Sequence, residues 1–153
     1  MILTQDMKDI LKSNICYFAT SSKEGKPNVV PMGLVEPVDN STIMIVDVRM
    51  NKTRHNLSEN EMVALAVTDS TKLQAYQLKG KANVITSGAL FETAVKLAKE
   101  KADKKQKRLQ TRLEETTDPS IRQKLQNMLN KKSVPKAAVI ISVEEIFSTM
   151  SNV

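Results

Sequence analysis

The sequence predicts a mainly β, α+β fold: a six-stranded antiparallel β-barrel with a short N-terminal helix and a helical hairpin inserted before the last strand. Two observations carry this prediction. Apolar runs of strand length alternate with short polar turns from residue 15 to residue 86. Helical spacing then takes over until residue 130, and strand character returns at residue 137. Because 153 residues is a usual domain length, we expect one domain over 1–153, with the helical insertion at about 88–133.

The N-terminal helix and the strands follow from side-chain spacing. The stretch from Thr4 to Ser13 has a capping threonine and an apolar face that includes Ile10 and Leu11, which predicts a helix. Strands are expected at residues 15–21, 28–35, 42–48, 62–67, 73–86 and 137–143. Within the second of them, Pro31 favours a sheet edge or a bulge, and Gly33 suggests that something approaches the backbone closely.

The remaining elements are helical. A short helix is expected after the third strand, at 52–58. The spacing of apolar residues predicts two helices at 87–115 and 120–130, and the pair Asp118-Pro119 is a good start for the second. A last short helical piece is expected at 144–147. In the fifth strand, Gly80 marks a bend or a bulge.

The net charge of +6 is concentrated in the predicted insertion. Residues 96–136 carry a surplus of 8 positive charges, whereas the rest of the chain has a deficit of 2. The usual interpretation is a solvated helix face whose apolar stripe packs on the barrel or on a partner subunit. The alternative is a docking surface for an acidic redox partner, an anionic cofactor or nucleic acid. Aromatic residues are only 3% of the chain, so nucleic-acid binding by base stacking is not expected.

Three features of the sequence indicate in which cellular compartment the protein is expected. The single cysteine, Cys16, excludes an intrachain disulfide and lies in an apolar run, which predicts a small buried side chain. The first residues include Asp6 where a signal peptide would be basic, and no run of residues has the length of a membrane span. We therefore expect a soluble cytoplasmic protein without membrane association.

The polar segment from Met50 to Leu57 follows directly on the apolar third strand and is the most informative part of the chain. A helix that begins here leaves backbone N–H groups unpaired, and Lys52 adds a charge and Thr53 a hydroxyl beside them. These groups together suit a phosphate. The competing interpretation is that Asn51 only caps the helix and that the basic side chains are solvated.

Three blocks of sequence carry a resemblance to a known family. They are Gly25-Lys26-Pro27-Asn28-Val29-Val30-Pro31, then Met50-Asn51-Lys52-Thr53 followed by Asn56-Leu57, and Tyr76-Gln77-Leu78-Lys79-Gly80-Lys81-Ala82 with the closing strand at 137–143. In this order and spacing the chain resembles the FMN-binding split barrels, which include pyridoxamine 5′-phosphate oxidase and small flavin-binding relatives. The resemblance implies that the antiparallel barrel is a split β-barrel.

The resemblance also implies a homodimer with one FMN per subunit, bound near the subunit interface. The cofactor-binding residues that it implies are Val29, Val30, Pro31 and Met32 beside the isoalloxazine, Asp47 and Val48 at the ring and ribityl chain, Asn51, Lys52 and Thr53 at the phosphate, and Gln77. For Gln77, a hydrogen bond to a flavin edge and a solvent-facing position on the barrel exterior remain equally open.

The function that follows is an FMN-binding oxidoreductase or electron carrier. The sequence offers no catalytic constellation or metal site around its only histidine, His55, which fits a protein whose cofactor carries the chemistry. The chain lacks the C-terminal arginine- and histidine-bearing segment of pyridoxamine phosphate oxidases, so vitamin B6 oxidation is not assigned. The alternatives are the same fold with a deazaflavin or haem, and a non-enzymatic module whose basic hairpin binds nucleic acid or a protein.

Overall fold

A computed structural model describes residues 2–132 and 134–150 as a curled antiparallel sheet with four helices. The elements are α1 (Gln5–Ser13), β1 (Cys16–Ser21), β2 (Pro27–Met32), β3 (Val35–Pro37), β4 (Thr42–Asp47), α2 (Lys52–Glu59), β5 (Met62–Asp69), β6 (Gln74–Ile85), α3 (Ala89–Glu115), α4 (Pro119–Leu129) and β7 (Ala137–Ser148). The sheet order is β2-β1-β5-β6-β7-β4-β3. None of the helices in the described ranges is both long and apolar enough to cross a membrane.

The described part of the chain has seven strands, so the expectation of six was wrong. The predicted strand at 28–35 is two strands, because the chain bends at Gly33 and Leu34 and changes its partner. β2 pairs with β1, whereas β3 pairs with β4 at the opposite edge of the sheet. Two residues span less than about 10 Å, so the two sheet edges must lie close together. The sheet therefore curls into a split barrel.

The predicted helical piece at 144–147 was also wrong. These residues belong to β7, where Glu145 pairs with Lys79 and Phe147 pairs with Gln77. Four residues are too few for a helix to form against a long strand that offers a continuous ladder. The predicted irregularity at Gly80 is confirmed, because the register between β6 and β7 shifts there. A Cβ at this glycine would collide with the carbonyl of Ser142.

Two apolar clusters hold the fold together. The larger fills the barrel interior with alternate residues of the strands, such as Phe18 and Leu65, and with Ile10 and Leu11 of α1. Cys16 belongs to this cluster and is fully buried, as predicted. The smaller cluster lies on the other face of β4 and β7, where Met44, Val46 and Ala138 pack against the first turns of α3 around Ala94. The inserted helix is thus attached to the barrel through its N-terminal part.

The inserted helices form the predicted hairpin between β6 and β7. Leu109 of α3 and Leu125 of α4 are buried, whereas the lysines and arginines along the C-terminal part of α3 are exposed. The basic face is therefore solvated in the single chain. α3 also reaches the bend between β2 and β3, because a Cβ at Gly33 would lie 3.3 Å from the Nζ atom of Lys101. This is the close approach that the glycine predicted.

Candidate functional site

The candidate site lies where β4 ends and α2 begins, next to the unpaired edge of β2. β4 pairs with β7 on one side and with β3 on the other, and it stops at Asp47. β2 stands at the end of the sheet order and pairs only with β1 among the described residues. The backbone of residues 28–32 therefore presents a free strand edge beside the corner formed by residues 47–53.

The N-terminus of α2 has no side-chain cap. Asn51 occupies the N-cap position, but its backbone is helical (φ −96°, ψ −68°) and its side chain makes no capping hydrogen bond. A capping residue ordinarily has extended backbone angles, from which its side chain reaches the N–H groups of the first turn. The N–H groups that begin α2 are therefore available to a ligand. Lys52 is exposed at the first helical position and adds a positive charge.

The body of α2, in contrast, is anchored to the barrel by buried polar contacts. The Asn56 amide donates to Thr20 Oγ1 at 3.1 Å, and both side chains are almost fully buried. The Asn28 amide donates to Thr53 Oγ1 at 3.1 Å and to Thr20 Oγ1 at 3.3 Å. Thr53 is 2% exposed. Its oxygen accepts a bond from β2, which leaves the hydroxyl hydrogen as the only donor that this side chain can offer a ligand.

Asp47 shapes the corner from within. Its side chain is 1% exposed, and Oδ1 accepts a hydrogen bond from the Met50 backbone N–H at 2.7 Å. Its other oxygen, Oδ2, has no hydrogen-bond partner in the described residues and lies 3.9 Å from Nη1 of Arg54. This distance is too long for a hydrogen bond but short enough for a strong electrostatic attraction. Asp47 therefore stabilises the turn that leads into α2, and its negative charge attracts the Arg54 guanidinium.

The strand residues named from the resemblance divide between two faces of β2. Val30 and Met32 pack against the barrel core, whereas Val29 and Pro31 are exposed on the outer face. Val48 follows Asp47 at the corner and packs with the smaller apolar cluster. The structure thus joins β2 to the start of α2 through Asn28 and Thr53, while Val48 packs on the opposite face of β4.

Gln77 is the predicted site residue that does not join this group within one chain. It lies on β6, which is separated from β2 by β1 and β5 and from β4 by β7. Its side chain stands on the outer face of the sheet, in a row with Ala66 on β5 and Phe147 on β7. In a single chain this position corresponds to the barrel exterior.

Sequence reasoning missed two features of the corner. Arg54, on the first turn of α2 and 39% exposed at its side chain, points toward Asp47, whereas the sequence alone suggested a solvated side chain. The hydrogen bond from the Met50 N–H to the buried Asp47 carboxylate had no local signal in the sequence. An aspartate directly after an apolar strand is equally compatible with an exposed side chain.

The comparisons with known proteins identify the family. The fold and the corner define the chain as an antiparallel split barrel with an open helix start. A family model described as pyridoxamine 5′-phosphate oxidase matches residues 3–147, and the chain belongs to this family. An uncharacterized protein of Methanocaldococcus jannaschii is 34% identical over 151 residues, which cover 97% of this chain and 82% of that protein.

Solved structures extend the comparison. HupZ of Group A Streptococcus is 28% identical, with a TM-score of 0.72 over 99% of this chain and 96% of its own. An FMN-binding protein from Syntrophomonas wolfei is 14% identical, with a TM-score of 0.65 over 94% of this chain and 84% of its own. The second of these likenesses concerns the fold alone.

Other structures with this fold are described with different cofactors. An F420 reductase is 12% identical, with a TM-score of 0.54 over 92% of this chain and 94% of its own. HutZ, the haem storage protein of Vibrio cholerae, is 13% identical, with a TM-score of 0.58 over 99% of this chain and 98% of its own. The family fold is therefore found with FMN, F420 and haem proteins, and the fold does not choose among them.

Proposed function

We propose that the protein is an FMN-binding oxidoreductase or electron carrier that works as a homodimer. The FMN phosphate would lie at the start of α2, with Lys52 and the free N–H groups of the first turn, and the isoalloxazine would lie along the edge of β2. The observation that carries this proposal is the uncapped α2 N-terminus, which has a lysine at its first position and an unpaired strand edge beside it. A helix start and a cation attract a dianion strongly.

The residues at the corner fit the cofactor by their chemistry. Lys52 supplies charge, Thr53 retains a hydroxyl hydrogen, and Arg54 stands on the same turn. The edge of β2 offers backbone N–H and C=O groups to the polar rim of a flavin. Met32 on β2 and Val48 after β4 are partly buried apolar residues that the ring could contact. FMN, when bound, would supply the electron or hydride chemistry, since the corner itself holds no set of catalytic side chains.

The outer face of the sheet supports the dimer. A row of Pro31, Tyr17, Ala66, Gln77 and Phe147 crosses five neighbouring strands by the observed register. Tyr17 is 53% and Phe147 42% exposed, so large apolar surface is left open in the single chain. Burial of this face against a second copy would remove apolar surface from water. It would also place Gln77 at the subunit interface. There, Gln77 of one subunit could reach the cofactor bound by the other subunit, although it lies far from the cofactor site of its own chain.

The direct test is the FMN affinity of Lys52→Ala, measured by quenching of flavin fluorescence. Thr53 is left intact because its oxygen also accepts the bond from Asn28. Loss of one charged contact to the phosphate should weaken binding by about 2 kcal/mol, or roughly thirtyfold in Kd. The matched control is Lys124→Ala, an exposed lysine of α4, which should bind FMN as the unaltered protein does. Equal affinities for the two variants would contradict the phosphate position.

A second measurement concerns the identity of the cofactor. The purified protein should take up FMN, become yellow and lose its visible absorption on reduction. Mass spectrometry of the extracted small molecule separates FMN from a deazaflavin, and a haem would show its own absorption band. A protein that remains colourless after incubation with FMN, or that copurifies with another cofactor, would contradict the proposal.

A further inference from the structure

The inserted helix α3 places one lysine against the end of β2. The Nζ atom of Lys101 lies 3.3 Å from the position that a Cβ of Gly33 would take. Gly33 directly follows β2, and its φ is not positive, so its backbone conformation does not require a glycine. The missing side chain is explained instead by the ammonium group, since a larger side chain at this position would displace it.

Apolar contacts hold Lys101 near this bend. Leu34, the residue after Gly33, belongs to the smaller apolar cluster on β4 and β7, and so do Leu97 and Ala98 of α3. Ala98 lies three residues before Lys101, so the two side chains are on the same side of the helix. Lys101 is therefore carried on the face of α3 that packs on the barrel, one turn beyond the packed residues.

The Lys101 ammonium group forms no ion pair with a carboxylate among the residues that the structure describes. The loss of water around the group lowers the pKa of Lys101, and repulsion from Arg108 and Lys105 lowers it further. The Cys16 thiol does not supply a negative charge, because burial raises its pKa to about 12. A negative charge that forms beside this ammonium group would therefore be stabilised.

The proposed FMN position brings the ring toward this lysine. Asn28 of β2 bonds to Thr53 at the start of α2, where the phosphate would lie. From Asn28 to Gly33 the chain advances five residues, or about 17 Å in a strand. This length is comparable with that of an extended FMN molecule. A cofactor whose phosphate lies at α2 and whose ring follows β2 would therefore have its ring end near Gly33 and Lys101.

We propose that Lys101 raises the reduction potential of bound FMN by stabilising the negative charge of the reduced ring. Uptake of two electrons and one proton by FMN leaves one negative charge on the pyrimidine part of the isoalloxazine, whereas the oxidised ring is neutral. A positive group held beside the ring therefore favours the reduced form over the oxidised form. The proposal rests on the proposed function, and it gives the helical insertion a role in that function.

The test compares the FMN reduction potential of the unaltered protein with that of Lys101→Met, by anaerobic titration with dithionite against a redox dye of known potential. Methionine keeps most of the side-chain length and removes the charge. The affinity for oxidised FMN should stay within about twofold, because the oxidised ring is neutral, whereas the affinity for reduced FMN should fall about tenfold. For a two-electron couple, this tenfold change lowers the potential by about 30 mV.

Two further variants separate the charge of Lys101 from its packing. Lys101→Arg keeps the positive charge and should restore most of the potential that Lys101→Met loses. Lys99→Met is the matched control, because Lys99 is exposed and lies about 200° away around the axis of the same helix, on its opposite side. This control should leave the potential unchanged. Thermal unfolding of each variant checks that the fold is retained.

The affinity for oxidised FMN is measured first, because it tells the failure of this proposal apart from the failure of the proposed function. If the unaltered protein binds no FMN, both fail. If FMN binds and its potential is the same in Lys101→Met, or falls equally in Lys99→Met, only the role of Lys101 is overturned. A loss of oxidised FMN affinity in Lys101→Met as large as that in Lys52→Ala would place Lys101 at the phosphate and would also overturn its role at the ring.

Discussion

The N-termini of α2 and α4 both have an Asn or Asp at the N-cap position, but only the α4 residue makes capping hydrogen bonds. At α4, Asp118 has extended backbone angles and its Oδ1 accepts hydrogen bonds from the N–H groups of Ser120 at 2.8 Å and Ile121 at 3.2 Å. At α2, Asn51 has helical backbone angles and caps nothing. The residue type is suitable in both places, so the backbone conformation decides whether the first turn is satisfied internally.

The difference extends beyond the first turn. α2 has three buried residues in eight positions, and two of them, Thr53 and Asn56, make side-chain hydrogen bonds to β1 and β2. α4 buries only Leu125 among its residues. The helix with the open start is therefore the one held more firmly by the barrel. A rigid helix with unsatisfied N–H groups is pre-organised for an anion, because it loses little freedom on binding.

The largest expected effect comes from breaking the anchor of α2. Thr20→Val keeps the shape of the side chain but removes the oxygen that accepts from Asn56 and Asn28. The Asn56 amide then loses its acceptor in a buried place, which should cost about 2–3 kcal/mol of stability. For a chain of this size we expect the Tm to fall by roughly 5–10 °C. Thr68→Val, on the exposed face of β5, is the matched control for thermal unfolding. A similar small shift in both variants would contradict the anchoring role.

The next effect concerns the open start itself. Asn51→Asp adds a negative charge beside the first turn of α2, which should stabilise the free protein by about 0.5 kcal/mol through the helix dipole. The same charge repels the FMN phosphate and should weaken FMN binding by about 1 kcal/mol, or roughly fivefold in Kd. Stability and affinity are therefore expected to change in opposite directions, measured by thermal unfolding and fluorescence titration. Asn127→Asp, on exposed α4, should leave the affinity unchanged. If Asn51→Asp binds FMN normally, the phosphate does not lie at this helix start.

Local patterns in the sequence were sufficient for most of the elements. Strand-length apolar runs and helical spacing place α1, α2, α3 and α4 and most strands within one to three residues of their observed bounds. The pattern could not show that residues 28–35 divide between two sheet edges, because pairing partners are set by contacts distant in sequence. It also could not show that residues 144–147 extend β7, since the ladder with β6 determines their conformation.

The candidate site was predictable in part for the same reason. A strand end, a lysine and a helix start are neighbours in sequence, so the corner at 47–53 could be recognised locally. The bond between Asn28 and Thr53, and the buried position of Asp47, depend on the way β2, β4 and α2 meet. For the basic residues at 96–136, sequence reasoning favoured a solvated helix face and kept a docking surface as the alternative.

The smallest expected effect is the counterpart at the closed helix start. Asp118→Ala removes the acceptor of two backbone bonds and should cost about 1 kcal/mol or less, because α4 is a peripheral helix. The exchange of the Ser120 and Ile121 amide hydrogens with solvent should become faster, and Asp118→Asn should restore most of their protection because asparagine is also a good cap. FMN affinity should not change in either variant. A loss of FMN affinity in Asp118→Ala would mean that the capped N-terminus of α4 contributes to the cofactor site. The contrast between the two helix starts would then fail to identify where the phosphate binds.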